Sequence, residues 1–141
     1  MINFIVPGQP QGKGRPRVTR NGTYTPQKTK DYQNTIKDIA ELHCKEYFML
    51  EPLKATLICY YQIPKSMPKY KRVLVKEGKL YPIVKPDIDN VAKAILDALN
   101  GVVYKDDNQI VELYIKKLYS DHPCIEVTIE EVQWLVKKLT I

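Results

Sequence analysis

Cysteine and histidine are scarce in this chain. Cys44, Cys59 and Cys124 are odd in number and far apart, no Cys-x-x-Cys occurs, and only His43 and His122 could assist them. Neither a zinc site nor a disulfide framework is expected from that pattern. Long apolar runs are also missing, and the apolar part of the opening MINFIVPGQP is too short for a secretory signal. The expected setting is the cytoplasm, with no membrane contact. Glycine is sparse at six residues, yet four of the six fall together with three prolines in residues 7 to 25. No Gly-Lys-Ser/Thr ending follows PGQPQGKGR, so it is not a phosphate-cradling P-loop. A stretch of that length without a regular pattern is read as a binding loop.

Acid is missing from part of the chain as well. Residues 13 to 30 carry Lys13, Arg15, Arg17, Arg20, Lys28 and Lys30 and no acid, and residues 65 to 85 carry seven basic residues against Glu77 alone. These two segments hold thirteen of the twenty-two basic residues and one of the sixteen acids, so the net charge of +6 belongs to two patches and not to the whole surface. Such patches suit a polyanion. The expected DNA contacts are Lys13, Arg15, Arg17 and Arg20 from the first and Lys69, Lys71 and Arg72 from the second.

The chemistry is concentrated in KPDIDNVAKAILDALNGVVYKDDNQIVEL, from Lys85 to Leu113. Its middle is an amphipathic helix of about eleven residues, roughly 16 Å long at 1.5 Å per residue. Val91, Ala92, Ile95, Leu96, Ala98 and Leu99 share one face, and Asp89, Lys93 and Asp97 follow one another at i, i+4 on the other. Asn100 and Gly101 end it. Pro86 holds the chain extended ahead of Asp87, so Asp87 and Asp89 are expected on one side of an extended segment, with Ile88 turned to the core. Two carboxylates so placed repel, and a hard divalent ion with oxygen ligands is the natural counter-charge. Lys93, one turn on, overlooks the same spot.

Plainer readings exist for each part. Asp89 could be an N-cap, Asp106 and Asp107 with Asn108 could be a polar turn, and Lys93 with Asp97 could be an ordinary helical ion pair. They weaken in combination, because a cap needs one acid and a basic chain has little reason to set a second acidic pair near the first.

The run PDIDN, then Lys93, LDALNG and DDNQI resembles the signature of the RusA family of Holliday junction resolvases, Mg²⁺-dependent endonucleases found largely in phages and prophages. GQPQGKGRPR and the later YTPQKT are similar to the start of the phage-type members. The resemblance implies that Asp87, Asp89 and Asp107 are the catalytic, metal-binding carboxylates, that Lys93 is the basic residue of the active site, and that Asp106 is a helper. It further implies Mg²⁺ as cofactor, with Mn²⁺ as the alternative, a four-way junction as the branched DNA substrate, and a homodimer.

Elsewhere the pattern gives a strand over Ile2 to Val6, a helix from Pro26 to about Phe48, a strand over Leu53 to Ile63 and a weak basic helix within a loop over residues 65 to 80. After the central helix come a brief extended piece at Val102 to Tyr104, a strand from Gln109 to Tyr119 with Val111, Leu113 and Ile115 inward, and a strand over Ile125 to Ile129 pairing with it as a hairpin. A helix over Glu131 to Leu139 closes the chain, with Trp134 off its apolar stripe. The order describes a single α+β domain over residues 1–141, one mixed β-sheet packed against helices. Two rival functions remain, a DNA-binding module without catalysis and a metal-dependent nucleotide hydrolase.

Overall fold

The computed structural model describes residues 1–133. Six strands, β1 (Ile2–Pro7), β2 (Arg17–Thr19), β3 (Gly22–Tyr24), β4 (Leu53–Gln62), β5 (Ile110–Ser120) and β6 (Cys124–Glu131), alternate with three helices, α1 (Gln27–His43), α2 (Lys69–Lys76) and α3 (Ile88–Ala98). The main sheet has the order β1-β6-β4-β5, and β2 with β3 forms a separate hairpin. Alternation places the core on one face. Ile2, Phe4 and Val6 of β1, alternate residues from Leu53 to Tyr61 of β4, and Ile125, Val127 and Ile129 of β6 are all buried. Against them pack Tyr32, Ile36 and Ala40 of α1 and Val91, Ala92, Ala94, Ile95 and Ala98 of α3. The opposite face is half-buried and more polar, as antiparallel sheets allow. There Asn3 Nδ2 donates to Thr128 Oγ1 at 2.7 Å.

The sheet is mixed, as expected, but the expected hairpin is absent. β6 pairs with β4 antiparallel and β5 pairs with β4 parallel, so β4 lies between the two strands that follow each other in sequence. The short link can cross because β4 ends there, with the Ile63 amide donating to the Ser120 carbonyl. Its edge position also leaves β5 open. Val111 and Leu113 are 60% and 47% exposed instead of inward, while Ile115 packs against the core.

Four further boundaries differ from the pattern. α1 stops at His43, because Cys44 turns extended and the following segment pairs with the turn after α3 through Phe48 and Val103. Phe48 is buried there, outside any helix. Val102 and Val103 lie in a turn, and of the expected extended piece only Tyr104 forms a bridge, with Phe48 and Asn100. The basic helix expected within 65 to 80, by contrast, is formed as α2 and closed by Gly78 at φ +71°. The binding loop at 7 to 25 includes the β2–β3 hairpin, whose Gly22 has φ +119°. Glu131 belongs to β6, and the rest of the expected last helix, with Trp134, lies outside the described residues.

Candidate active site

α3 begins at Ile88, so Asp87 is its N-cap and Asp89 lies in its first turn. The two acids are therefore not alternate residues of an extended segment, and residues two apart on a helix diverge. Ile88 is correspondingly 38% exposed and not in the core. Asp87 makes no capping hydrogen bond with its side chain, which leaves the carboxylate open to a ligand. Both acids lie where the helix dipole favours negative charge.

The segment entering Asp87 is held from two strands. Tyr61 of β4 donates its hydroxyl to the Pro86 carbonyl at 2.7 Å. Lys117 of β5 donates to the Val84 carbonyl at 2.6 Å and to Pro86 at 3.3 Å, with its ammonium 4.7 Å from the Tyr61 ring centre. Burial pushes the Tyr61 hydroxyl well above its ordinary pKa, so it remains a donor. Sequence patterning gave no hint of these roles, because both residues are ordinary members of strands.

At the far end of α3, Asp97 meets the glycine-rich loop. Lys13 Nζ lies 2.8 Å from Asp97 Oδ2, so the ion pair of Asp97 is with Lys13 and not with Lys93. The loop is seated by close packing. A Cβ on Gly12 would lie 2.8 Å from Asn90 Cγ, one on Gly14 would lie 2.7 Å from Thr29 Oγ1, and the Gly14 amide donates to that same oxygen at 2.9 Å. Lys13, expected as a DNA contact, is thus committed to the acidic helix, and the exposed Lys93 stays between Asp89 and Asp97 on its face.

Asp106 and Asp107 divide the work of the second acidic pair. Asp106 caps a 3-10 turn, Asp107–Gln109, accepting from the Asn108 amide at 3.3 Å while its own amide donates to Gln109 Oε1 at 3.0 Å. Gln109 Nε2 donates to the Phe48 and Glu51 carbonyls, which fixes the turn to the core. The polar-turn reading thus describes Asp106, whereas Asp107 points to Asp97. Burial, then hydrogen bonding and charge from Asp97 and Asp106, push the Asp107 carboxyl up to about 6. Asp97 is also penalised by burial, but hydrogen bonds from Lys13 and Asp107 and the charges of Lys13 and Lys93 outweigh it and lower its pKa. Below about pH 6 this describes a protonated Asp107 donating to an ionised Asp97.

Asp97 is the acid that sequence reasoning left out of the site, although its place on the face of Asp89 and Lys93 was visible. Tyr104 is no nucleophile. It is buried, donates its hydroxyl to the Leu96 carbonyl at 2.6 Å, and has its pKa raised by burial and by Asp107, Asp97 and Asp106.

Among the described residues no three Asp, Glu, His or Cys side chains lie close enough to hold one ion. Asp87, Asp89 and Asp107 do not come together as a single ligand set. The acids form two sets along α3, Asp87 and Asp89 at its start, and Asp97 with Asp107 and Asp106 near its end. Eight residues of helix separate Asp89 from Asp97, roughly 12 Å. All donors are carboxylate oxygens, and the charges of Asp97 and Asp106 raise the pKa of Asp107, so a cation beside them would relieve the repulsion. That chemistry fits Mg²⁺, which takes one or two carboxylates and completes its shell with water and phosphate oxygens.

Of the remaining expected DNA contacts, Arg15 and Arg17 border a cleft beside Pro86, and Arg20 is exposed at the tip of the β2–β3 hairpin. Lys69 and Lys71 are exposed on α2, which buries none of its residues. Arg72 is tied to its own segment, donating to the Met67, Pro64 and Lys65 carbonyls.

A family model for endodeoxyribonuclease RusA matches residues 7–130. The chain is also 39% identical over 137 residues to the uncharacterized protein YqaN of Bacillus subtilis (strain 168), covering 93% of this chain and 96% of that protein.

Proposed function

The chain belongs to the RusA endodeoxyribonuclease family, and on that premise we propose that it is a Mg²⁺-dependent enzyme that resolves four-way DNA junctions by paired strand cuts as a homodimer. The observation that carries the reading is the family match, whose span from 7 to 130 contains every residue assigned here.

In this reading each acidic set supplies one or two carboxylates to a metal ion, Asp87 and Asp89 at the start of α3 and Asp107 with Asp97 near its end, and Asp106 keeps the turn in place. When bound, Mg²⁺ supplies Lewis-acid charge to a phosphodiester under attack by water. Lys93, exposed between the two acidic sets, orients the water or offsets charge on the phosphate. Asp107 can hold or release a proton near neutral pH, with Asp97 as its hydrogen-bond acceptor. Tyr61 and Lys117 act as positioning residues by fixing Pro86, the residue before Asp87. Arg15, Arg17, Arg20, Lys69 and Lys71 contact phosphates and keep the DNA against the acids.

Paired cutting needs two sites. A junction is released as two intact duplexes only when two symmetry-related strands are cut, and one chain has one such arrangement of acids. A two-fold dimer supplies the second and matches the symmetry of the junction. Incubation of the protein and Mg²⁺ with a four-way junction, a linear duplex and nucleoside triphosphates tests the reading. Paired cuts in the junction alone support it. Binding without cutting would point to a DNA-binding module, and hydrolysis of the triphosphates alone to a nucleotide hydrolase.

A further inference from the structure

Between the glycine-rich loop, the start of α1 and Lys85–Pro86 lies an open cleft of about 720 Å³. Its charge is of one sign. Arg15, Arg17, Lys28 and Lys85 line it, and no Asp or Glu does. None of these four cations is in an ion pair among the described residues, so their charge is available to a ligand. Much of the remaining wall is proline, four rings in all, Pro86 among them. Lys28 and Lys85 have no part in the function assigned so far.

The cleft is preformed. Its loop wall is seated on α3 through Gly12 against Asn90 and on α1 through Gly14 against Thr29, and its other wall is Pro86, held by Tyr61 and Lys117. A matching ligand is anionic along one side and offers flat apolar surface on the other, which describes a nucleotide with its phosphate and its base. The volume falls in the range of about 300–1,000 Å³ that holds single small molecules. That is room for one or two nucleotides, and none for the second backbone of a duplex. Because Pro86 directly precedes Asp87, a strand lying in the cleft continues past the first acids of α3.

We propose that this cleft takes one or two unpaired nucleotides of a branched DNA, phosphates on Arg15, Arg17, Lys28 and Lys85 and bases against the prolines, and so selects the unstacked strand at a branch point over continuous duplex. The assignment rests on the endonuclease reading above but is tested without cleavage.

Fluorescence anisotropy of labelled (dT)6 with the full chain, free of metal, reads the cleft directly. Lys28→Glu with Lys85→Glu should weaken binding at least tenfold. Lys37→Glu with Lys45→Glu, which changes the net charge equally but lies outside the cleft, should weaken it less than threefold. Unlabelled (dT)6 should displace the probe, and a six-base-pair hairpin duplex should do so at least tenfold less well. Equal losses in the two double variants, or equal displacement by hairpin and single strand, would overturn the assignment. If the cleft variants bind normally while junction cutting still depends on Asp107, the cleft assignment fails alone. If the wild-type protein cuts no DNA, it is the endonuclease reading that fails.

Discussion

Lys13 and Asp97, eighty-four residues apart in sequence, meet at 2.8 Å and tie the glycine-rich loop to the helix that carries the acids. Both side chains are about one third exposed, at 36% and 31%, so the pair stabilises the fold by no more than about 1 kcal/mol. Its larger effect is on charge. Lys13→Met should raise the pKa of Asp97, since it removes both a hydrogen bond and a neighbouring cation, while costing at most about 1 kcal/mol in urea unfolding. Carboxyl NMR titration checks the first and denaturation the second. An unmoved Asp97 would show that the contact does not persist in solution.

Asp107 should titrate near 6 in the metal-free protein, above its ordinary value of 3.8. A raised folded-state pKa contributes stability that is complete below 3.8 and is lost as pH rises through about 6. Asp97 is shifted the other way, so its own contribution is present above the ordinary carboxylate value and is lost only in stronger acid. Asp97→Asn should bring Asp107 down, because it takes away the adjacent charge. If Asp107 keeps its value in that variant, burial and Asp106 set it and the carboxyls of Asp97 and Asp107 are not coupled.

Much of this arrangement was legible in the sequence, and the failures have physical causes. Periodicity gave β1, β4 and α3 because their buried faces are complete. It misplaced Asp87 and Asp89 because only Asp87 stays extended after Pro86 and the helix begins at Ile88, whereas an extended pair would need Ile88 to be extended as well. It paired β5 with β6 because adjacent strands usually pair, whereas here β4 enters between them, a relation between distant segments that no local pattern encodes. Val111 and Leu113 are apolar at alternate positions yet exposed, since β5 is an edge. The roles of Lys13, Tyr61 and Lys117 depend on contacts across the fold, which spacing alone does not reveal.

Junction binding should weaken steeply with salt, the logarithm of affinity falling by about 0.9 per phosphate contact for duplex DNA. Arg15→Gln with Arg17→Gln, or Lys69→Gln with Lys71→Gln, should each flatten that slope by about 1.8. Arg72 is a poor choice for this test because its guanidinium holds three carbonyls of its own segment. Filter binding or anisotropy across a salt series gives the slopes, and slopes equal to wild type would place those residues away from DNA.

Mixing wild type with an excess of Asp89→Asn chains, after subunit exchange, should give heterodimers that nick one strand and release few paired products. Sedimentation at assay concentration is the companion measurement. A protein that stays monomeric with junction bound and still makes paired cuts would contradict the dimer.

The most direct measurement compares wild type with Asp107→Asn on a four-way junction in Mg²⁺, following cleavage and binding in the same samples. Asp107 is the acid that burial and its neighbours shift to about 6, and the substitution preserves its size while removing its charge. The expected result is paired cutting by the wild type, no cutting by the variant, and junction binding equal or tighter in the variant. Cutting by Asp107→Asn at a rate close to wild type would contradict the assigned site.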